Sequence, residues 1–276
     1  DNTIIIVTSD DGMPFPYAKA NCTEFGIHMP LAMAWKAGAR PGRQSDRLLS
    51  FVDLTATIHA ATGIKAPDAL PLTGRSFLGL LQGRDEMPAG REAVFSGRER
   101  HSSSRYNTLS YPQRCVRTAE HLFIRNFKPE RWPAGPGRRL TGKPGSELGP
   151  EHRGYHDIDG CPTLDFLIEK RDDPKIGPFF RLAVDKRPAE ELYDIVADPG
   201  CLHNLAADPA HAETLAELRR MLDDYLQRTG DPRVTGKGDV FETYPRYSHL
   251  RWFPKPRWAK DDPDSVPPTP WLDEKR

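Results

Sequence analysis

The sequence predicts an α/β chain: the end of an α/β domain over residues 1–84, then a smaller α+β subdomain over 85–230, an antiparallel sheet with one packed C-terminal helix. Two observations carry this reading. An unbroken β-branched run, Ile4-Ile5-Ile6-Val7, ends in Ser9-Asp10-Asp11-Gly12, the habit of a parallel strand buried on both faces that opens into a turn. Further on, short apolar segments at Ala93 to Ser96, Arg114 to Thr118, Leu122 to Asn126 and Glu191 to Ile195 read as strands, and a long amphipathic segment follows Asp208-Pro209. Residues 231–276 form a third stretch, a tail rich in proline and aromatic residues.

Ligand sites in α/β sheets lie just beyond the carboxyl ends of the strands, and Asp10 and Asp11 occupy that place. Adjacent carboxylates repel and are costly to desolvate, so they call for hydrogen bonds, basic partners or a cation. All-oxygen ligation favours Ca²⁺ or Mg²⁺ over zinc. The competing reading is a simple turn, for which Ser-Asp-Asp-Gly is ordinary chemistry. Next, Met13-Pro14-Phe15-Pro16 stiffens a loop that can bring Lys19 back over the carboxylates, and a lysine beside a metal makes a site for a doubly charged oxyanion.

Residues 24–35 read as a glycine turn, a polar crossing and another apolar strand. Val52, Leu54 and Ile58 then recur at helical spacing, with Asp53 as N-cap and Gly63 as the stop; His59 on this helix reads as structural. The stretch 129–190 is rich in Gly, Pro, Arg and Lys and holds Tyr155-His156-Asp157 and Cys161, the composition of a long functional loop. In the last helix Pro209 takes the first position, Leu215, Leu218, Leu222 and Tyr225 line one face, and Gly230 ends it. The tail, with Arg251-Trp252-Phe253-Pro254 and Lys255-Pro256-Arg257-Trp258, reads as a strap over the domain or an oligomer contact, ahead of a base-stacking or sugar-stacking surface.

Lys plus Arg and Asp plus Glu both total 39, so no global field draws the chain to nucleic acid or to a membrane surface. No apolar run approaches the ~20 residues that span a bilayer. The four cysteines, Cys22, Cys115, Cys161 and Cys201, fit neither a dense disulfide framework nor a CxxC metal site.

Taken together, Ser9-Asp10-Asp11-Gly12, Lys19 a short loop later and Gly26 to Pro30 before the next strand resemble the sulfatases of the alkaline phosphatase superfamily. The proline-flanked loop 13–16 is most similar to the sulfamidase (N-sulfoglucosamine sulfohydrolase) type. The resemblance continues through residues 48–64 and 72–83, Ser110-Tyr111-Pro112 with Arg114, the strand at 121–127, and Glu191-Leu192-Tyr193-Asp194 through Asp198-Pro199 to Asn204-Leu205. Order and spacing held over roughly 200 residues argue against chance similarity.

The resemblance implies an alkaline-phosphatase-like α/β fold and hydrolysis of a sulfate ester or sulfamate, on a glycan or a small sulfated substrate. It implies a formylglycine nucleophile and Ca²⁺, with Mg²⁺ as the alternative, held by Asp10 and Asp11, and it gives Lys19 the sulfate contact. The family carries Asn where Asp11 stands, so this chain adds a negative charge at that ligand. In the family the Cys/Ser-x-Pro-x-Arg motif, the source of formylglycine, lies upstream of the Ser-Asp-Asn-Gly strand, and this chain has no such upstream segment; the chain therefore reads as the C-terminal portion of a sulfatase, inactive alone. Glu99, Arg100 and His101 are the candidate substrate contacts, a homodimer is an open expectation, and a periplasmic, secreted or lysosomal-type compartment follows from the resemblance only. Two alternatives remain: a phosphatase, phosphonate hydrolase or phosphotransferase of the same superfamily, or a non-catalytic carbohydrate-binding module.

Overall fold

A computed structural model describes residues 2–66, 72–84, 91–102, 104–105, 109–135, 137 and 155–245. The tail motifs at 251–258 and the middle of the 129–190 stretch lie outside the described residues.

Strand β1 (Ile4–Thr8) pairs with β2 (Leu31–Trp35) in an antiparallel ribbon, Ile6 opposite Met33, with the short helix α1 (Glu24–Ile27) between them. This corrects the expected parallel strand buried on both faces. Ile5 and Val7 are 57% and 62% exposed while Ile4 and Ile6 are half-buried. β-Branched residues favour a strand, but burial of both faces needs neighbouring layers, and among the described residues this sheet has two strands.

Helix α2 (Phe51–Thr62) starts one turn differently from the sequence reading. Ser50 is the N-cap, and Asp53 closes a capping box from the third helical position by accepting the Ser50 N–H at 2.7 Å. Asp53 is buried and also accepts from the Arg75 N–H and from Arg91, each at 2.8 Å, so it ties the helix start to two later segments. Gly63 ends the helix in the left-handed conformation, φ 70°, as its lack of Cβ permits. The helix buries Ala56 and Thr57, and leaves Val52 and Ile58 of the sequence-predicted stripe exposed. A one-turn helix, α3 (Leu78–Leu81), follows.

The second sheet is an antiparallel meander in the order β3 (Val94–Arg98), β4 (Gln113–Arg117), β5 (His121–Asn126) and β6 (Glu190–Asp194). Its side chains alternate between two cores, as the period of 2 requires. Val116, Phe123 and Leu192 face α6 (Ala212–Thr229) and its Leu215, Leu218, Leu222 and Leu226. Cys115, Leu122, Ile124 and Tyr193 face the other way and pack on Cys22, Cys201, Tyr17 and Ile27. Each fully buried Leu or Phe here contributes about 1.5–3 kcal/mol. Pro209 opens a 3₁₀ turn, capped by Asp208 accepting from the Ala210 N–H at 2.9 Å, and the α-helix proper begins at Ala212.

Between β5 and β6 the expected long loop contains two helices, α4 (Pro162–Glu169) and α5 (Gly177–Val184). Leu164 and Ile168 pack on Ala183 and Val184, with Ala134 and Ile158, in a third core that Tyr17 joins to the second sheet. Eight-residue helices carry too few turns for periodicity to stand out from proline and glycine on either side. All four cysteines are free thiols, and among the described residues no helix is long and apolar enough to cross a membrane.

Candidate active site

The turn after β1 is built by close backbone contact. A Cβ on Gly12 would lie 2.5 Å from the Phe25 carbonyl oxygen, and one on Gly26 would lie 2.2 Å from that of Asn21 and 2.5 Å from that of Ala18. Only glycine admits this approach, which presses the Asp10-Asp11-Gly12 turn onto α1. Ser9 adds a hydrogen bond from its hydroxyl to the Asp11 carbonyl, 2.7 Å.

From there the 13–21 loop coils on itself, the Phe15 and Lys19 N–H groups both donating to the Met13 carbonyl at 2.7 and 3.0 Å. Tyr17, at φ 68°, is held in that uncommon conformation from several sides. Its carbonyl accepts from the Thr23 hydroxyl at 2.6 Å; its own hydroxyl donates to the Cys201 carbonyl at 2.9 Å and lies 3.0 Å from that of Tyr193. The loop is thereby anchored to the second sheet, and Lys19 emerges from it at a defined place.

Lys19 Nζ lies 3.3 Å from Asp11 and 3.1 Å from Asp159. Its pKa is raised, chiefly by the hydrogen bond to Asp159; burial opposes this, and the hydrogen bond to Asp11 and the charges of both carboxylates add to the rise. The loop thus does bring the lysine back to the carboxylates. Asp159 was not singled out by the sequence; the only signal was its position in the stretch read as a functional loop.

Asp159 is placed by its neighbour two residues earlier. Asp157 is buried and takes Arg98 and Arg105 on one oxygen, each at 2.6 Å, and the Ser102 and Ser104 hydroxyls on the other at 2.5 and 3.0 Å. Burial alone would push its pKa up, but the charges of Arg105 and Arg98 outweigh it and hold the carboxyl well below the usual range. Arg98 also reaches Asn21, at 3.3 Å, two residues after Lys19. The clamp therefore fixes both sides of the Lys19–Asp159 contact.

The remaining candidates lie elsewhere in the network. Glu99 is engaged by Arg114 and Arg233, each at 2.6 Å, and Arg100 donates to the Tyr244 carbonyl at 2.8 Å. These bonds draw residues 231–245 back onto the sheet, joined by Glu242, which pairs with Arg131 at 2.6 Å. His101 is half-buried beside them.

Asp10 is exposed and Asp11 half-exposed at the open side of the turn. Their oxygens suit a hard divalent cation in kind. In number they fall short of the about six to eight ligands Ca²⁺ takes, and among the described residues no cluster of three His, Cys, Asp or Glu side chains is present.

Comparison with known proteins sharpens this picture. No family model matches the chain. An ulvan-active sulfatase of Formosa agariphila is 27% identical over 235 residues, covering 84% of this chain and 34% of that protein. Human N-sulphoglucosamine sulphohydrolase is 27% identical over 253 residues, covering 88% of this chain and 45% of that protein. The homologues of this chain are sulfatases. Their matched stretch is the C-terminal portion, and the chain spans between 34% and 45% of the length of these relatives. A solved 2-O GAG sulfatase aligns with 88% of this chain and 40% of its own at a TM-score of 0.54 and 20% identity, so the two share the fold of that region.

Proposed function

We propose that this chain is the C-terminal part of a sulfatase that hydrolyses sulfate esters or sulfamates on a glycan. The observation that carries the reading is the turn after β1: two adjacent carboxylates with Lys19 3.3 Å from Asp11, in a chain whose homologues are sulfatases. The names of the relatives, one active on ulvan and one on N-sulphoglucosamine, support a sulfated sugar as the substrate class.

In this reading Asp10 and Asp11 hold a divalent cation, Ca²⁺ or Mg²⁺, which when bound supplies positive charge for the sulfuryl oxygens. The other ligands and the formylglycine come from residues outside this chain. Lys19 supplies a second positive charge from the protein. Its ammonium is preorganised between Asp11 and Asp159, so a sulfuryl oxygen replaces one of two existing partners and the lysine is not reoriented from solvent. Apolar Ile5 and Val7 on β1, and Val52 and Ile58 on α2, are left open to solvent, which supports a covering layer contributed by a longer polypeptide.

The test is sulfate release from N-sulfated and O-sulfated glucosamine by the 276-residue chain and by the longer polypeptide encoded with it. Release by the longer form, lost in Asp10→Ala and reduced in Lys19→Ala, with none from the chain alone, is the expected result. Metal-dependent turnover by the chain alone would overturn the assignment as a part; no turnover by the longer form on any sulfated sugar would overturn the sulfatase.

A further inference from the structure

Most buried arginines in this fold meet a carboxylate. Arg98 and Arg105 share Asp157, Arg114 pairs with Glu99 and Asp231, and Arg131 pairs with Glu242. Arg187 breaks the pattern. It is 7% exposed, and its Nε, Nη1 and Nη2 all lack a hydrogen-bond partner among the described residues. Its guanidinium lies over the ring of Tyr17, 4.7 Å from the centroid, on the underside of the loop that carries Lys19.

The carboxylate that acts on Arg187 electrostatically is Glu191, but neither of its oxygens accepts a hydrogen bond from it. One accepts from Asn126 and the other from the Tyr193 hydroxyl, both at 2.6 Å. Tyr111 feels Arg187, Arg98, Arg105 and Glu191 together, and its buried hydroxyl is likewise unpartnered among the described residues. Around it, among the described residues, three buried arginines, 98, 105 and 187, face two buried carboxylates, Asp157 and Glu191, an excess of one positive charge. Burial, with Arg105 and Arg187 nearby, pulls the Arg98 pKa down to about 10, as such crowding requires.

A guanidinium is all donor and cannot shed its proton, and leaving a buried cation's donors unmade is costly. We propose that Arg187 binds a small monovalent anion of the chloride class beneath the Lys19 loop. Such an ion accepts from several guanidinium N–H groups at once and cancels the excess charge, whereas water supplies acceptors and leaves the charge. Burial restricts the ligand to a small ion. The proposal does not depend on the sulfatase reading.

Two measurements on the full chain test it. In crystals soaked in sodium bromide, an anomalous peak is expected within hydrogen-bond distance of Arg187. In solution, Tm in sodium chloride should exceed Tm in sodium methanesulfonate at equal ionic strength by about 2–4 °C. Arg187→Gln should abolish that difference, and the exposed-site control Arg220→Gln should keep it. Water without bromide at Arg187, or equal Tm in the two salts, would overturn the proposal. Should Arg187→Gln fail to fold, the bromide map of the unaltered chain decides alone.

Discussion

Lys19 and Asp159 meet at 3.1 Å, joining the loop after β1 to the segment just before α4. The bond from Asp159 is the largest cause of the raised lysine pKa, ahead of that from Asp11. Asp159→Asn is therefore expected to lower the Lys19 pKa, and Asp11→Asn to lower it less. Nuclear magnetic resonance titration of the lysine side-chain signal reads this directly; an unchanged titration in Asp159→Asn would show that the pairing does not persist in solution. Because the pair is partly exposed, its loss should cost less than about 1 kcal/mol of stability.

Asp157→Asn removes the one carboxylate that Arg98 and Arg105 share. It is expected to destabilise the chain by about 3–5 kcal/mol, since two buried cations lose their counter-charge. The pH dependence has a fixed sign. The folded pKa of Asp157 lies below the unfolded value of about 3.9, so its stabilisation is complete above about pH 4 and is lost as pH falls further. Urea unfolding at a series of pH values should give a constant gap between parent and variant near neutrality, narrowing in acid.

Gly26→Ala places a methyl group against two backbone carbonyls that cannot rotate away. A loss of about 1–3 kcal/mol is expected, together with disturbance of the 13–21 loop. Thermal melts report the first. The second should appear as a Lys19 pKa shifted back toward its ordinary value, and a parent-like titration would argue against the tight turn.

Leu222→Ala opens a cavity where α6 meets Val116, Phe123 and Leu192. Full burial of Leu222 predicts a cost of about 2–5 kcal/mol. Calorimetry on the variant checks this, and the Lys19 titration should stay as in the parent, because α6 covers the opposite face of the sheet from Tyr17.

Patterns that repeat within a few residues were legible. Alternation located β3 to β6 to within a residue or two, and the spacing of Leu215, Leu218 and Leu222 located α6. Asp53 was misplaced by three positions because a capping box puts its acid inside the helix, and Ser50 carries the cap. The exposure of Ile5 and Val7 was not legible either, since a β-branched run states a preference for strand and says nothing about which layers cover it.

By itself the sequence determined the Asp10-Asp11-Gly12 turn, the loop that returns Lys19 to it, the antiparallel sheet with its helix, and the kinship with sulfatases. Local periodicity, turn chemistry and motif order are all written in contiguous residues. Only the tertiary structure decided that Asp159 shares Lys19 with Asp11, that Asp157 gathers two arginines, and that Arg187 lies buried over Tyr17 with no carboxylate bound to it among the described residues. Those relationships are set by distances between segments far apart in the chain, and the energy of a charge depends on what surrounds it once water has been excluded.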